Sequence, residues 1–259
     1  MIRDVQSFHP KERFSNRVEA YVKYRPHYPP EIIPFCREKF GLSAGDVIAD
    51  IGSGTGFLSE LYLENGNTLY GIEPNKEMRE AGEKYLNRFP NFRSIDANAE
   101  QTLLRDRSVD VVIAGQAFHW FDQTKFQAEC KRILRDKSIA CLIWNERDNQ
   151  STEFLRAYEE LLGNYSTDYY QVRHEDVTEG ELQEFFGSKS LQRGQFPNNQ
   201  IFDFEGVRGR LLSASYIPTE DHPRYGEMIA LLKSLFEKQS KNGKVELLYK
   251  TQLYWGKVS

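Results

Sequence analysis

Cysteine is scarce in this chain of 259 residues, which holds three: Cys36, Cys130 and Cys141. They are odd in number, far apart or inside apolar periodic segments, and form no C-x-x-C pair. A disulfide scaffold and the common zinc frameworks are thereby excluded, and reduced structural thiols with no metal site are expected. Long hydrophobic runs are missing as well. No segment is apolar for long enough to cross a bilayer, and the opening MIRDVQSFHPKERF has no apolar stretch of the signal-peptide kind. A cytoplasmic location and no membrane partner are expected. An excess of positive charge is also lacking: 34 Lys and Arg against 38 Asp and Glu leave a net charge of −4. That balance supplies no field for a phosphate backbone, so nucleic acid is not an expected partner. Repeats, low-complexity tracts and Gly/Ser linkers are absent too, and nothing forces a domain cut within residues 1–259. A hydrophobic share of 39% beside a charged share of 28% describes a chain able to bury a core and remain in solution.

The periodicity is clear from about residue 47 to 163. VIADI (47–51), TLYGIE (68–73), FRSID (92–96), VDVVIAG (109–115) and IACLIW (139–144) are short, apolar and bounded by turn residues, the pattern of buried strands. Between them the period lengthens. Met78, Ala81, Tyr85, Leu86 and Phe89 follow Asn75 at helical spacing, and Phe126, Cys130, Ile133 and Leu134 follow Asp122, so Asn75 and Asp122 are expected N-caps. Strands of this kind alternating with amphipathic helices predict βαβ units around a parallel sheet. Ahead of them, residues 8–40 read as helix interrupted at YRPHYPP (24–30), whose three prolines deny a continuous helix. Behind them, Phe154, Leu155, Tyr158, Leu161 and Leu162 predict a helix, followed by a less regular stretch to about 190. QRGQFPNNQIFDF (192–204) and VELLYKTQLYW (245–255) read as strands able to neighbour each other antiparallel at one sheet edge. Met228, Leu231, Leu232, Leu235 and Phe236 predict a helix between them.

The chemistry is concentrated in one loop. The first strand breaks into Gly52-Ser53-Gly54-Thr55-Gly56 before the helix-like FLSELYLEN, at the carboxyl end of a parallel strand, where ligands bind in open α/β sheets. Glycine admits positive φ and a close backbone approach, and the following helix presents unsatisfied N–H groups. An ordinary strand-to-helix turn needs one glycine, not three. A dinucleotide fingerprint G-x-G-x-x-G requires glycine at Phe57, and a phosphate P-loop requires Lys-Ser or Lys-Thr after the glycines; neither is present. What stands is G-x-G-x-G with Asp50 two residues upstream. Glu73 closes the second strand about twenty residues on, placed to accept hydrogen bonds from ribose hydroxyls.

ADIGSGTGF, GIEPN, DANAEQ and VDVVIAGQAFHWFD, in this order and spacing, resemble the class I S-adenosylmethionine-dependent methyltransferases. The likeness is greatest to the small-molecule branch that includes the trans-aconitate and quinone-biosynthesis methyltransferases. It covers residues 14–147 well, NRVEAYVKYRPHYP included, and the last third loosely. The expected fold is α/β: a Rossmann-like, doubly wound, seven-stranded, mostly parallel sheet with an antiparallel edge strand. An N-terminal helical lid (1–40), a cofactor-binding core (41–147) and a remainder with a helical insertion near the C-terminal strands (148–259) complete a single domain. The resemblance implies S-adenosylmethionine as cofactor. Asp50 and the backbone of Gly52, Ser53, Gly54, Thr55 and Gly56 would hold its methionyl part, Glu73 and Pro74 its ribose, Asn98, Ala99 and Glu100 its adenine, with Asp96 an alternative. Gln116 would run past the sulfonium. Ser53 stands where many relatives have cysteine, a small-for-small exchange.

The remaining candidates surround the expected acceptor. Tyr24, Arg25, His27 and Tyr28 could fold over the cofactor from the proline-broken segment, with Tyr24 and Arg25 on the cofactor. Arg25 would clamp a carboxylate, the cofactor's or the acceptor's. Alternatively YRPHYPP ties a helix to the sheet. His119 and Tyr28 are the candidate catalytic residues, and Trp120 and Phe121 either pack the sheet end or line the pocket. Asn145, Arg147 and Ser213 to Tyr216 are further acceptor-side candidates. The family's [DN]-P-P-[YF] signature of base and amide N-methylation is replaced here by GQAFHW, which favours a small metabolite over DNA or RNA. The expected activity is methyl transfer to a small molecule, at a carboxylate or hydroxyl oxygen, with nitrogen also open. A non-catalytic cofactor-binding protein is the rival reading, and a nicotinamide dehydrogenase, penalised by Phe57, a third. The oligomeric state is left open by the sequence.

Overall fold

A computed structural model describes residues 18–169 and 177–259 of the chain. The helix-like reading of residues 8–17, the first part of the methyltransferase-like segment (14–17) and part of the less regular stretch (170–176) lie outside the described residues. In chain order the elements are α1 (Val18–Tyr24), α2 (Ile32–Phe40), β1 (Val47–Ile51), α3 (Phe57–Glu64), β2 (Thr68–Ile72), α4 (Lys76–Tyr85), β3 (Phe92–Ile95), β4 (Val109–Gly115) and a 3-10 turn (Phe118–Trp120). There follow α5 (Gln123–Ile133), β5 (Leu134–Arg147), α6 (Glu153–Tyr165), α7 (Glu179–Phe186), β6 (Gln192–Pro197), β7 (Gln200–Phe202), α8 (Phe204–Leu212), α9 (Tyr225–Gln239), β8 (Val245–Leu247) and β9 (Tyr249–Gly256).

Seven strands form one sheet in the order β3-β2-β1-β4-β5-β9-β6. β1 to β5 pair in parallel, as their apolar runs and intervening helices require. β9 runs antiparallel to both β5 and β6. The antiparallel strand therefore lies one place in from the edge, with β6 outside it. Strand periodicity sends Ile48 to one face and Ala49 and Ile51 to the other. On the first face Ile48 packs with Ile32, Cys36, Leu58 and Tyr62 of α2 and α3. On the second, Ala49 and Ile51 pack with Phe126 and Cys130 of α5 and Phe185 of α7. All three cysteines are buried and unbridged. Both expected caps are present: the Asn75 side chain accepts from the Met78 N–H at 2.8 Å and Asp122 from that of Lys125 at 3.2 Å.

The proline-rich interruption ends α1 at Tyr24 and delays α2 to Ile32. Asn145, on β5, fastens this segment to the sheet: its Nδ2 donates to the carbonyls of Pro26 and His27, each at 3.3 Å. Its Oδ1 accepts from Thr251 Oγ1 at 2.6 Å and from Asn198 Nδ2 at 3.0 Å. The tie that YRPHYPP was open to making is thus made, through a buried amide with its polar atoms engaged.

Beyond β5 the structure departs from the sequence reading in detail. The strand expected over 192–204 is two strands, since Pro197 has no N–H to continue the ladder and Asn198 turns its side chain into the sheet. The strand expected over 245–255 also divides at Leu248, and β7 pairs with β8 as a separate two-stranded ribbon. Two helices, α7 and α8, occupy stretches in which no helix is expected. α7 opens with a reciprocal capping box between Thr178 and Glu181, and α8 with Asp203 accepting from the Gly206 N–H at 2.8 Å. A third apolar cluster, with Leu155, Tyr158, Val207, Leu211, Met228 and Leu247, joins α6, α8, α9 and the ribbon over the carboxyl end of the sheet.

Candidate active site

Two clefts meet at the carboxyl ends of β1 and β4. They share Tyr21, Gly52, Gly54, Gly115, Gln116 and Trp120. The smaller reaches Glu73, Pro74, Asn75 and Met78 and then Asn98, Ala99 and Glu100. The larger runs under the N-terminal segment past Asp50 and His119 to Arg25, Arg147 and Arg210.

The loop between β1 and α3 forms their common floor. Gly52 has φ 70° and Gly54 φ 55°, left-handed conformations that are strained for residues bearing a Cβ. A Cβ on Gly52 would stand 2.7 Å from Ala117 Cβ, and one on Gly54 3.3 Å from Met78 Cε. The two glycines therefore keep backbone bare and close to the cleft at once. The Gly54 N–H donates to Glu73 Oε2 at 2.9 Å, and the Asn75 N–H to Glu73 Oε1 at 2.8 Å. Burial raises the Glu73 pKa, against the pull of those two backbone N–H groups and of Arg79. Each carboxylate oxygen still has a lone pair to offer. Glu73→Ala should weaken cofactor binding by about 1–3 kcal/mol, with the loop loosened as part of that loss; a titration with S-adenosylhomocysteine giving unchanged affinity would contradict the placement.

Asp50 is the most informative residue. It is 1% exposed; its Oδ2 accepts from Ser59 Oγ at 2.6 Å, while Oδ1 is buried with no partner among the described residues. Burial is the main cause of a pKa pushed up to about 7, with Glu73 adding to the rise and the Ser59 hydroxyl opposing it. A carboxylate oxygen left unbonded at the wall of a cleft is costly unless a cationic or donor group completes it.

Gln116, at the junction of the clefts, has φ 56°, unusual outside glycine. Its N–H donates to the Ile143 carbonyl at 2.9 Å and its Nε2 to the Asn145 carbonyl at 3.2 Å, bonds that hold the strained turn at the end of β4. The next residues form the 3-10 turn. Phe118 faces inward against Phe126, Trp144 and Phe185, His119 and Trp120 line the larger cleft, and Trp120 and Phe121 the smaller. Tyr28 fits because Gly115 has no side chain: a Cβ there would lie 2.4 Å from the Tyr28 hydroxyl. Burial raises the Tyr28 pKa well above its ordinary value. The phenol is therefore neutral near pH 7, a donor rather than a base.

Of the expected site residues, Arg25, Tyr28, Asp50, Gly52, Ser53, Gly54, Thr55, Gln116 and His119 line the larger cleft. Glu73, Pro74, Asn98, Ala99 and Glu100 line the smaller. Tyr24, Gly56 and Asp96 lie outside both. Tyr24 packs its ring over Gly209 of α8, whose absent Cβ would sit 2.1 Å from it. Gly56 closes against Leu86, and Asp96 is 68% exposed and paired with Arg79 at 2.9 Å. His27 stacks on Phe57, centroids 3.9 Å apart, rather than lining a cleft. Asn145, Arg147, Ser215 and Tyr216 do line the larger one, joined by Arg210, Tyr169 and Tyr249, which the sequence does not single out.

Residues 49–142, the segment from β1 into β5, match the family described as "Methyltransferase domain". An uncharacterized methyltransferase of Mycobacterium tuberculosis is 33% identical over 150 residues, 58% of this chain and 58% of that protein. The match thus spans less than two thirds of the relative's own length. An uncharacterized methyltransferase-like protein of Schizosaccharomyces pombe is 25% identical over 249 residues, 93% of each. The solved structure of a candidate type II methyltransferase from Anaeromyxobacter dehalogenans shares the fold, with TM-score 0.70, 21% identity, and 90% of this chain and 98% of that one covered. The core from β1 into β5 is thus similar to a methyltransferase domain, on an α/β fold shared with that solved structure.

Proposed function

We propose that this protein transfers the methyl group of S-adenosylmethionine to an oxygen of a small molecule, the acceptor lying in the larger cleft. The observation that carries the reading is the buried, unpartnered Asp50 Oδ1 beside a floor of bare glycine backbone. It is the acceptor a methionyl ammonium would complete. Glu73 and Pro74 would hold the ribose, and Asn98, Ala99 and Glu100 the adenine. Gln116 would pass the sulfonium, and Arg25 would hold the methionyl carboxylate. Arg25 suits that role: it is partly buried with its Nε out of solvent, it donates to the Ser213 carbonyl at 3.2 Å, and no carboxylate stands within ion-pair distance among the described residues.

S-adenosylmethionine, when bound, supplies a methyl group already activated on a sulfonium. The protein's share is to hold the acceptor in line and keep water out. Tyr21, Trp120 and the fastened N-terminal segment cover the junction of the clefts, where transfer would occur. Tyr28 can donate a hydrogen bond to the acceptor oxygen, and His119 can receive a proton when that oxygen belongs to a hydroxyl; an ionised carboxylate would need no base. The non-catalytic alternative has the acceptor side filled by protein or the fold serving as an interaction surface. The larger cleft is instead a cavity on that side, with Gln116 and His119 at one end and Arg147, Arg210 and Tyr216 at the other.

The test is incubation with methyl-labelled S-adenosylmethionine and fractionated metabolites. Label transferred to a small molecule is expected, whereas binding with no transfer across a broad panel would leave the non-catalytic reading standing. His119→Ala should lower turnover at least about tenfold with S-adenosylhomocysteine affinity within about twofold. Equal turnover in the variant would remove His119 from the chemistry.

A further inference from the structure

The far wall of the larger cleft carries three guanidinium groups, from Arg210, which is buried, and from Arg25 and Arg147, which are partly so. One has a countercharge: Arg147 pairs with Glu159 and also reaches the Tyr169 hydroxyl at 3.4 Å. The other two meet only neutral groups among the described residues. Arg25 donates to the Ser213 carbonyl and lies 5.1 Å from the Tyr21 ring centroid. Arg210 donates through Nε to the Tyr249 hydroxyl at 3.0 Å and through Nη1 to Ser213 Oγ at 3.4 Å. The same serine thus holds both cations, so two like charges face each other across one residue, and Arg210 is among the causes lowering the Arg25 pKa. Buried charge is ordinarily paired, since the desolvation cost is otherwise unmet. Two cations with no anion beside them among the described residues mark a place for anions.

We propose that the acceptor is an organic carboxylate and that Arg210 binds it, the anion resting among Tyr216, Tyr249 and Ser215. This rests on the methyltransferase reading above, in which Arg25 is engaged by the methionyl carboxylate and a second cation is left over. Tyr249 and Ser213 fix the guanidinium plane from Nε and Nη1, and Nη2 has no protein partner among the described residues. A planar fork so oriented suits the planar carboxylate group. Arg210 is thereby the residue that selects charged acceptors over their neutral analogues, because an amide in the same place leaves the buried cation unpaired.

The experiment is a calorimetric titration of the full chain saturated with S-adenosylhomocysteine. The probes are short aliphatic dicarboxylates, benzoate-type acids and the neutral amide of each. At least one acid should bind, with its amide at least about tenfold weaker. Arg210→Met should weaken that acid about 30-fold, the scale of a lost charge-assisted hydrogen bond, with S-adenosylhomocysteine affinity within about twofold. Acids and amides binding alike, no acid binding at all, or an unchanged acid affinity in Arg210→Met would each overturn the proposal. If Arg210→Met no longer takes up S-adenosylhomocysteine, Arg210→Lys decides, since lysine keeps the charge without the fork. Acid binding weakened with S-adenosylhomocysteine affinity intact supports the assignment; both weakened alike makes Arg210 a cofactor residue and overturns it. Failure of the wild-type protein to bind S-adenosylhomocysteine at all is a different result, and it removes the cofactor reading itself.

Discussion

Gly54→Val should lower affinity for S-adenosylhomocysteine by at least about 100-fold, about 2.7 kcal/mol, in a domain that still folds. Gly54 has φ 55°, where a β-branched side chain is strained, and a Cβ would stand 3.3 Å from Met78 Cε. Relief of that strain shifts the Gly54 N–H from Glu73 Oε2, its partner at 2.9 Å. The valine methyls would also enter the volume shared by both clefts, which Gly54 lines. Gly54→Ala, with the same backbone penalty and less bulk, should lose less. Calorimetry and thermal unfolding on the pair separate the contributions: equal affinities in wild type and Gly54→Val would show that this loop does not hold the ligand.

Asp50→Asn should move binding and stability in opposite directions. The Asp50 carboxyl titrates near 7 in the folded protein instead of its ordinary 3.8, so between those values the native state holds a proton that the unfolded chain has released. Stability of the ligand-free protein from this group therefore falls as pH rises from about 4 to 7, and the full deficit applies above 7. Asparagine removes that slope. At pH 8 the ligand-free variant should be more stable by about 1–3 kcal/mol, with the difference shrinking toward pH 4. Its affinity for S-adenosylhomocysteine should drop about 30-fold, because an amide cannot pair with an ammonium. Wild-type affinity should also rise through pH 7 as the carboxyl ionises, with a proton released on binding below that pH. Denaturant unfolding at two pH values, and calorimetry in buffers of different ionisation enthalpy, check both signs. A variant less stable than wild type at pH 8, or one that binds equally well, would contradict the role given to Asp50.

The half of the site built on β1 and β2 is legible in the sequence because it is local. Asp50, Gly52, Gly54 and Glu73 stand at strand ends whose burial and direction follow from a few neighbouring residues, and Asn75 and Asp122 announce their helices by cap chemistry alone. The acceptor side is not local. Arg210 reads as one more charge in FEGVRGRLL, a helix of low amphipathicity. It reaches the cleft through packing that joins distant segments: the Tyr24 ring seated on Gly209, Arg25 reaching Ser213, and Tyr249 at the start of β9. Tyr24 lies outside both clefts. Its neighbours Arg25 and Tyr28 enter the cleft, but one helical step turns Tyr24 onto α8. Gln116 is recognisable by its place after β4, yet its left-handed backbone has no signature in the residue type.

Among the described residues no helix is long and apolar enough to cross a membrane. The larger cleft is lined by Arg147 and Tyr216 and by Arg25, Pro26 and Tyr28 of the fastened YRPHYPP segment, and the proposed acceptor would enter there. Loss of Asn145 should loosen that segment, since its amide joins Pro26 and His27 to Thr251 and Asn198, while the bonds from Asn198 to the His27 carbonyl at 2.7 Å and from Gln200 to the Tyr24 carbonyl at 3.2 Å would stay.

The central claim is that the glycine floor, Asp50 and Glu73 together cradle an adenosyl amino acid. A crystal structure of the complex with S-adenosylhomocysteine tests it most directly. The expected density places the ribose on Glu73, the amino group on Asp50 Oδ1 and the sulfur at Gln116, with the larger cleft open in front of it. A nucleoside bound elsewhere, or an Asp50 oxygen still unpartnered beside a bound ligand, would contradict it.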